Sequence, residues 1–104
     1  MLGGLDNKTI ERIQQVFGSF PEINQVILYG SRAKGNFKAG SDIDLTLIGE
    51  NISLRVLNKI ENILDDLLLP NIFDVSIYHR IENRELKAHI ERVGKILFQK
   101  KVEI

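Results

Sequence analysis

Two short apolar segments, Val26-Ile27-Leu28-Tyr29 and Leu45-Thr46-Leu47-Ile48, are joined through a glycine-serine turn and an aspartate pair, and that order of features constrains the fold more than any other. The first segment reads as a short buried strand ended by Gly30-Ser31, with Arg32-Ala33-Lys34 as a first helical turn. Residues 35–40 form a glycine-bounded loop, and residues 42–48 alternate with period two, the pattern of a half-buried strand. If the end of the first strand and the start of the second face one ligand, the two strands are antiparallel neighbours.

The chemistry of that junction is specific. A glycine-serine turn exposes backbone N–H groups, adds a hydroxyl donor at Ser31, and lets an anion approach the chain closely. Asp42 and Asp44 share one strand face, their Cα atoms roughly 7 Å apart, so their carboxylates can converge on one metal ion or bridge two. Hard oxygen donors suit magnesium. Taken singly, a Gly-Ser turn is usually a turn and an Asp-x-Asp a solvated strand edge. Together they place two mutually repelling carboxylates at the start of a β-prone segment, the kind of local rule-breaking that marks a functional site.

The rest of the chain supplies a small α+β fold. A helix is expected from Asn7 to Phe17, with Ile10, Ile13 and Phe17 on one face. Ser53 caps a second helix expected to reach Leu69, with Pro70 as its stop. The alternating run 72–78 then returns as a third strand, parallel to the second through a βαβ crossover. A last helix starts near Asn83 and stops at Gly94, and residues 96–98 form a final strand. The expected architecture is a small mixed β-sheet with helices packed on it. In the third strand Asp74 shares a face with Ser76, which sets it beside the Asp42/Asp44 pair on the neighbouring strand. A third carboxylate there would hold a second metal ion and orient or deprotonate an attacking hydroxyl; the plain alternative is an exposed strand position.

Composition narrows the function. With 104 residues the chain is expected to form one domain spanning 1–104 that buries about two-thirds of its unfolded surface. Fourteen basic and fourteen acidic residues cancel, which argues against direct nucleic-acid binding along a basic groove. There is no cysteine, as suits a reducing compartment, and no apolar run approaches the roughly 20 residues of a membrane span. A cytoplasmic protein without a membrane association is expected. His79 and His89 have no companion at ligand spacing and read as structural or surface residues. Ser41 reads as a local turn residue and Lys100-Lys101 as a solvated pair.

The run Gly30-Ser31-Arg32-Ala33-Lys34-Gly35 with Ser41-Asp42-Ile43-Asp44-Leu45 resembles the signature of the DNA polymerase beta-like nucleotidyltransferases, and within them the minimal nucleotidyltransferases that serve as antitoxins to HEPN-domain RNase toxins. Lys34 departs from the arginine common there, keeping the charge and losing the planar fork. The resemblance implies the polymerase beta-like fold and transfer of AMP from magnesium-ATP, with two ions, to a hydroxyl. The acceptor implied is a tyrosine of a cognate HEPN toxin. It assigns Asp42, Asp44 and Asp74 as catalytic and metal-holding residues. Gly30, Ser31 and Arg32 are expected to bind the nucleotide, Arg32 through its charge. Phe37 is a candidate for a docking surface, or a mobile loop side chain. Two other classes stay open: an antitoxin that neutralises by binding alone, and a nucleotidyltransferase acting on small molecules of the antibiotic type.

Overall fold

The computed structural model describes residues 1–101. Helix α1 (Asn7–Gly18) is capped by Asp6, whose carboxylate accepts the Thr9 N–H, and it buries Ile13, Val16 and Phe17. Strand β1 (Gln25–Tyr29) leads directly into the short helix α2 (Gly30–Lys34). Strand β2 spans Ile43–Ile48, so Asp42 lies just outside it. Helix α3 (Leu54–Asp65) begins on the expected Ser53 cap. Strand β3 (Phe73–Ile77) follows, then a 3-10 turn at Tyr78–Arg80, helix α4 (Arg84–Val93) capped by Asn83, and strand β4 (Lys95–Gln99).

The strands form one mixed sheet in the order β3-β2-β1-β4. β1 runs antiparallel to both β2 and β4, while β3 is parallel to β2 across the α3 crossover. This is the arrangement expected for the first three strands; the pairing of β4 with β1 completes it. One face of the sheet carries the core: Val26, Leu28, Ile43, Leu45, Leu47 and Leu97 pack with Ile13 and Phe17 of α1 and Ile60 and Leu64 of α3. These side chains are almost wholly removed from water, each worth roughly 1.5–3 kcal/mol. The opposite face is covered in part by α4, which packs across β1.

One boundary differs from expectation. α3 ends at Asp65 and not near Leu69, because Leu68 turns into the left-handed region, φ 56°, and breaks the helical path well before Pro70. Leu67 and Leu69 pack against the core, whereas Leu68 is left exposed. The apolar triplet that mimics a continuing helix face is thus a turn that folds two of its three side chains inward.

Candidate active site

The α4 side of the sheet carries the polar residues. Period-two alternation puts Tyr29 of β1, Asp44 and Thr46 of β2, and Asp74 and Ser76 of β3 on that face, opposite the buried Leu28, Leu45 and Val26. The register places Tyr29 opposite Asp44 across the antiparallel pair and Asp44 beside Asp74 across the parallel one. Thr46 and Ser76 form the next rung: Ser76 Oγ donates to Thr46 Oγ1 at 3.0 Å. Thr46 is fully buried, so this bond satisfies a hydroxyl that would otherwise be costly.

Asp44 is half-buried while Asp42 and Asp74 are exposed. Burial pushes the Asp44 carboxyl above the ordinary carboxylate range, and the charges of Asp74 and Asp42 push it the same way. The Tyr29 hydroxyl is likewise raised, first by burial, with Asp74 and Asp44 adding to it and Ser76 opposing. Among the described residues, no three His, Cys, Asp or Glu side chains stand close enough together to hold a metal ion as they are. The donor set nevertheless fits a hard divalent cation: the groups are carboxylate oxygens alone, and their mutual repulsion at Asp44 is what such a cation relieves.

Gly30 turns the chain toward this cluster. Its φ of 73° is open to glycine, and a Cβ there would overlap the Asp44 carboxylate. The turn and Asp44 therefore touch, and no larger residue could occupy position 30 without displacing the acid. Ser31 is the next residue of α2, half-buried beside it. The glycine-serine turn and the aspartates, separate in sequence, are one locus in space.

Arg32, expected to meet the nucleotide through its charge, has that charge turned to the chain's own carbonyls. It is 3% exposed, and its guanidinium is engaged by backbone carbonyls on two other segments. Nε and Nη2 each donate to Ser41 O at 3.1 Å, Nη1 donates to Gly3 O at 2.8 Å, and Nη2 also reaches Ala39 O at 3.3 Å. Asn71 Nδ2 donates to the same Ala39 and Ser41 carbonyls, both at 3.2 Å. Arg32 is thus a brace that ties the amino-terminal turn to the loop before Asp42, a use of the planar fork that lysine could not copy. Phe37 packs against the same brace. It lies 5.2 Å under the Arg32 guanidinium and packs so closely on Gly4 that a Cβ there would enter its ring. It is a half-buried packing residue of the loop.

His89, expected to be a structural or surface residue, is structural, and it stands next to the glycine turn. Its Nε2 accepts the Gly30 N–H at 3.1 Å, and its ring meets Tyr29 edge-on with centroids 6.1 Å apart. No local pattern could have marked it, since it lies 59 residues from its partner. His79 is exposed, as a surface residue should be. Ser41 makes the local turn expected of it, accepting the Lys38 N–H on its Oγ at 2.8 Å. Lys100 is less free than supposed: its Nζ donates to Pro21 O at 2.9 Å.

Comparison with known proteins bears on the family and the fold. The family described as polymerase beta, nucleotidyltransferase matches residues 11–103. Two proteins of Methanocaldococcus jannaschii that bear the name protein adenylyltransferase are 30% identical over 77 residues and 31% identical over 81, covering 74% and 76% of the chain. The chain spans 50% and 58% of their lengths, about half of the relatives it matches. Among solved structures, a toxin-antitoxin complex with AMP-PNP superimposes at a TM-score of 0.69, with 18% identity, over 93% of this chain and 76% of that one. An MNT antitoxin bound to a tri-AMPylated HEPN toxin of Shewanella oneidensis gives 0.60 and 18%, over 90% and 69%. Identities this low speak to the fold, and the fold is shared. With a glycine turn set against an aspartate of the neighbouring strand, and the match running through nearly all its elements, the chain belongs to the polymerase beta nucleotidyltransferase family.

Proposed function

We propose that residues 1–104 act as one nucleotidyltransferase domain that moves AMP from magnesium-ATP to a hydroxyl, a tyrosine, of a partner HEPN-type RNase toxin, and so serves as its antitoxin in the cytoplasm. The observation that carries this reading is the contact of Gly30 with Asp44 and the pairing of Asp44 with Asp74, which joins an anion-binding turn to an acidic cluster. Two further facts support it: relatives named protein adenylyltransferases, and a structural neighbour described as an antitoxin in complex with an AMPylated toxin.

In this reading Asp42, Asp44 and Asp74 would hold two magnesium ions, whose chemistry is to neutralise phosphate charge and to favour in-line displacement. Ser31 would bind the terminal phosphates through its backbone N–H and hydroxyl, and Gly30, whose own N–H is given to His89, would let them approach the chain closely. Asp74, the exposed carboxylate on the edge strand, faces the acceptor and takes or orients its hydroxyl proton. The acceptor oxygen then forms the new bond to the α-phosphorus while the bond to pyrophosphate breaks. Catalysis is mainly placement and charge neutralisation. Direct nucleic-acid binding has no part in it, in keeping with the balanced charge. The test is to incubate the protein with its cognate toxin, magnesium and ATP. Adenylylated tyrosine on the toxin supports the reading, and an unmodified but fully neutralised toxin supports neutralisation by binding alone.

A further inference from the structure

We infer that His89 is a positioning residue for the nucleotide: it fixes the Gly30-Ser31 turn by accepting the Gly30 N–H, and α4 thereby contributes to a site otherwise built from the start of α2 and from the strands β1, β2 and β3. The inference rests on the functional reading above for its purpose and on geometry for its substance. Gly30 follows β1 just beyond the last rung that pairs with β2, Tyr29 opposite Asp44, so its N–H falls outside the ladder. His89 Nε2 accepts that N–H at 3.1 Å. An acceptor at Nε2 places the ring proton on Nδ1.

The imidazole is itself held from two sides. Its ring stands edge-on against Tyr29, itself 8% exposed, and α4 is anchored by Ile90, the residue after His89 and 4% exposed. Gly94 ends the helix close against β1, where a Cβ would strike the Ile27 side chain. Backbone at Gly30 has a positive φ that nothing in its own residue enforces. The acceptor from α4 therefore restrains the one peptide whose orientation sets both the approach to Asp44 and the direction of Ser31. Without it, a half-buried N–H loses its partner and the turn gains freedom.

Two variants separate the hydrogen bond from packing. His89→Ala removes both, while His89→Gln keeps an acceptor of similar reach and loses the ring on Tyr29. In the free protein, amide hydrogen exchange at Gly30 should quicken by about tenfold in His89→Ala and stay near wild type in His89→Gln. Titration with magnesium and AMP-PNP should show affinity about tenfold weaker in His89→Ala, restored to within about threefold by His89→Gln, with thermal midpoints of the two variants alike. Unchanged exchange in His89→Ala, or a Gln variant as impaired as the Ala one, overturns the inference. If wild type binds AMP-PNP and His89→Ala binds it equally well, the nucleotide role is overturned too. If wild type itself binds none, the functional reading fails and takes that role with it, while the exchange result still decides whether His89 holds Gly30.

Discussion

Asp44 and Asp74 stand side by side in the register of the parallel β2-β3 pair, two carboxylates on one face of adjacent strands with Asp42 nearby. A fold with no use for them would separate them, since the ionised form of Asp44 is disfavoured by both burial and its neighbours.

The first prediction follows from that conflict. A carboxyl raised in the folded state costs no stability below its ordinary value of 3.8; the cost grows as pH rises from there and is complete above the folded value. Asp44→Asn should therefore raise the thermal midpoint at neutral pH without divalent cation, while lowering transfer activity by about two orders of magnitude or more. Magnesium should stabilise wild type more than the variant. A thermal-shift series with and without magnesium reads both effects, and a destabilised Asp44→Asn protein would contradict the account.

In the proposed reaction Asp74 serves the acceptor side. Asp74→Asn should reduce turnover far more than it weakens binding of magnesium and AMP-PNP, and single-turnover kinetics beside a binding titration will separate the two. Equal losses would make it a ligand of the nucleotide only, and unaltered turnover would return it to an exposed strand position.

Arg32 should behave as a brace. Arg32→Ala leaves the Gly3, Ala39 and Ser41 carbonyls with fewer donors and removes the cation over Phe37, and should cost about 2–4 kcal/mol in urea unfolding. Arg32→Lys should recover little, because one ammonium cannot span two segments with the geometry of the fork. A surface-like loss below about 0.5 kcal/mol would refute the assignment.

How much of this was legible in the sequence varies with the range of the interaction. The strands, the Ser53 and Asn83 caps, and the neighbourhood of Asp74 and Asp44 rest on period and spacing, which local sequence records. The α3 terminus was misread because Leu67, Leu68 and Leu69 look like one apolar face until Leu68 takes a positive φ. The partners of Arg32, Phe37 and His89 are illegible for a different reason. Arg32 meets Gly3 across 29 residues and His89 meets Gly30 across 59, and no periodicity encodes which distant carbonyl or amide a side chain will find.

The acid limb of stability should report the α1 cap. The Thr9 N–H holds the Asp6 carboxyl below its ordinary value of 3.8, so its contribution is fully present above that pH and is lost as pH falls through the lower folded value. Asp6→Asn keeps a capping acceptor without the charge, and its stability should fall less steeply in that window. Parallel acid titrations by circular dichroism would show it, and identical slopes would exclude a role for the charge.

The central claim is that the acidic cluster carries out transfer to a protein acceptor. Intact-mass and peptide mapping of the cognate toxin, after incubation with this protein, magnesium and ATP, tests it most directly. The account predicts one or more adenylyl groups on toxin tyrosine with wild type and none with the Asp42→Asn/Asp44→Asn double variant. Full neutralisation of the toxin by that double variant, with no mass added by either protein, would contradict it.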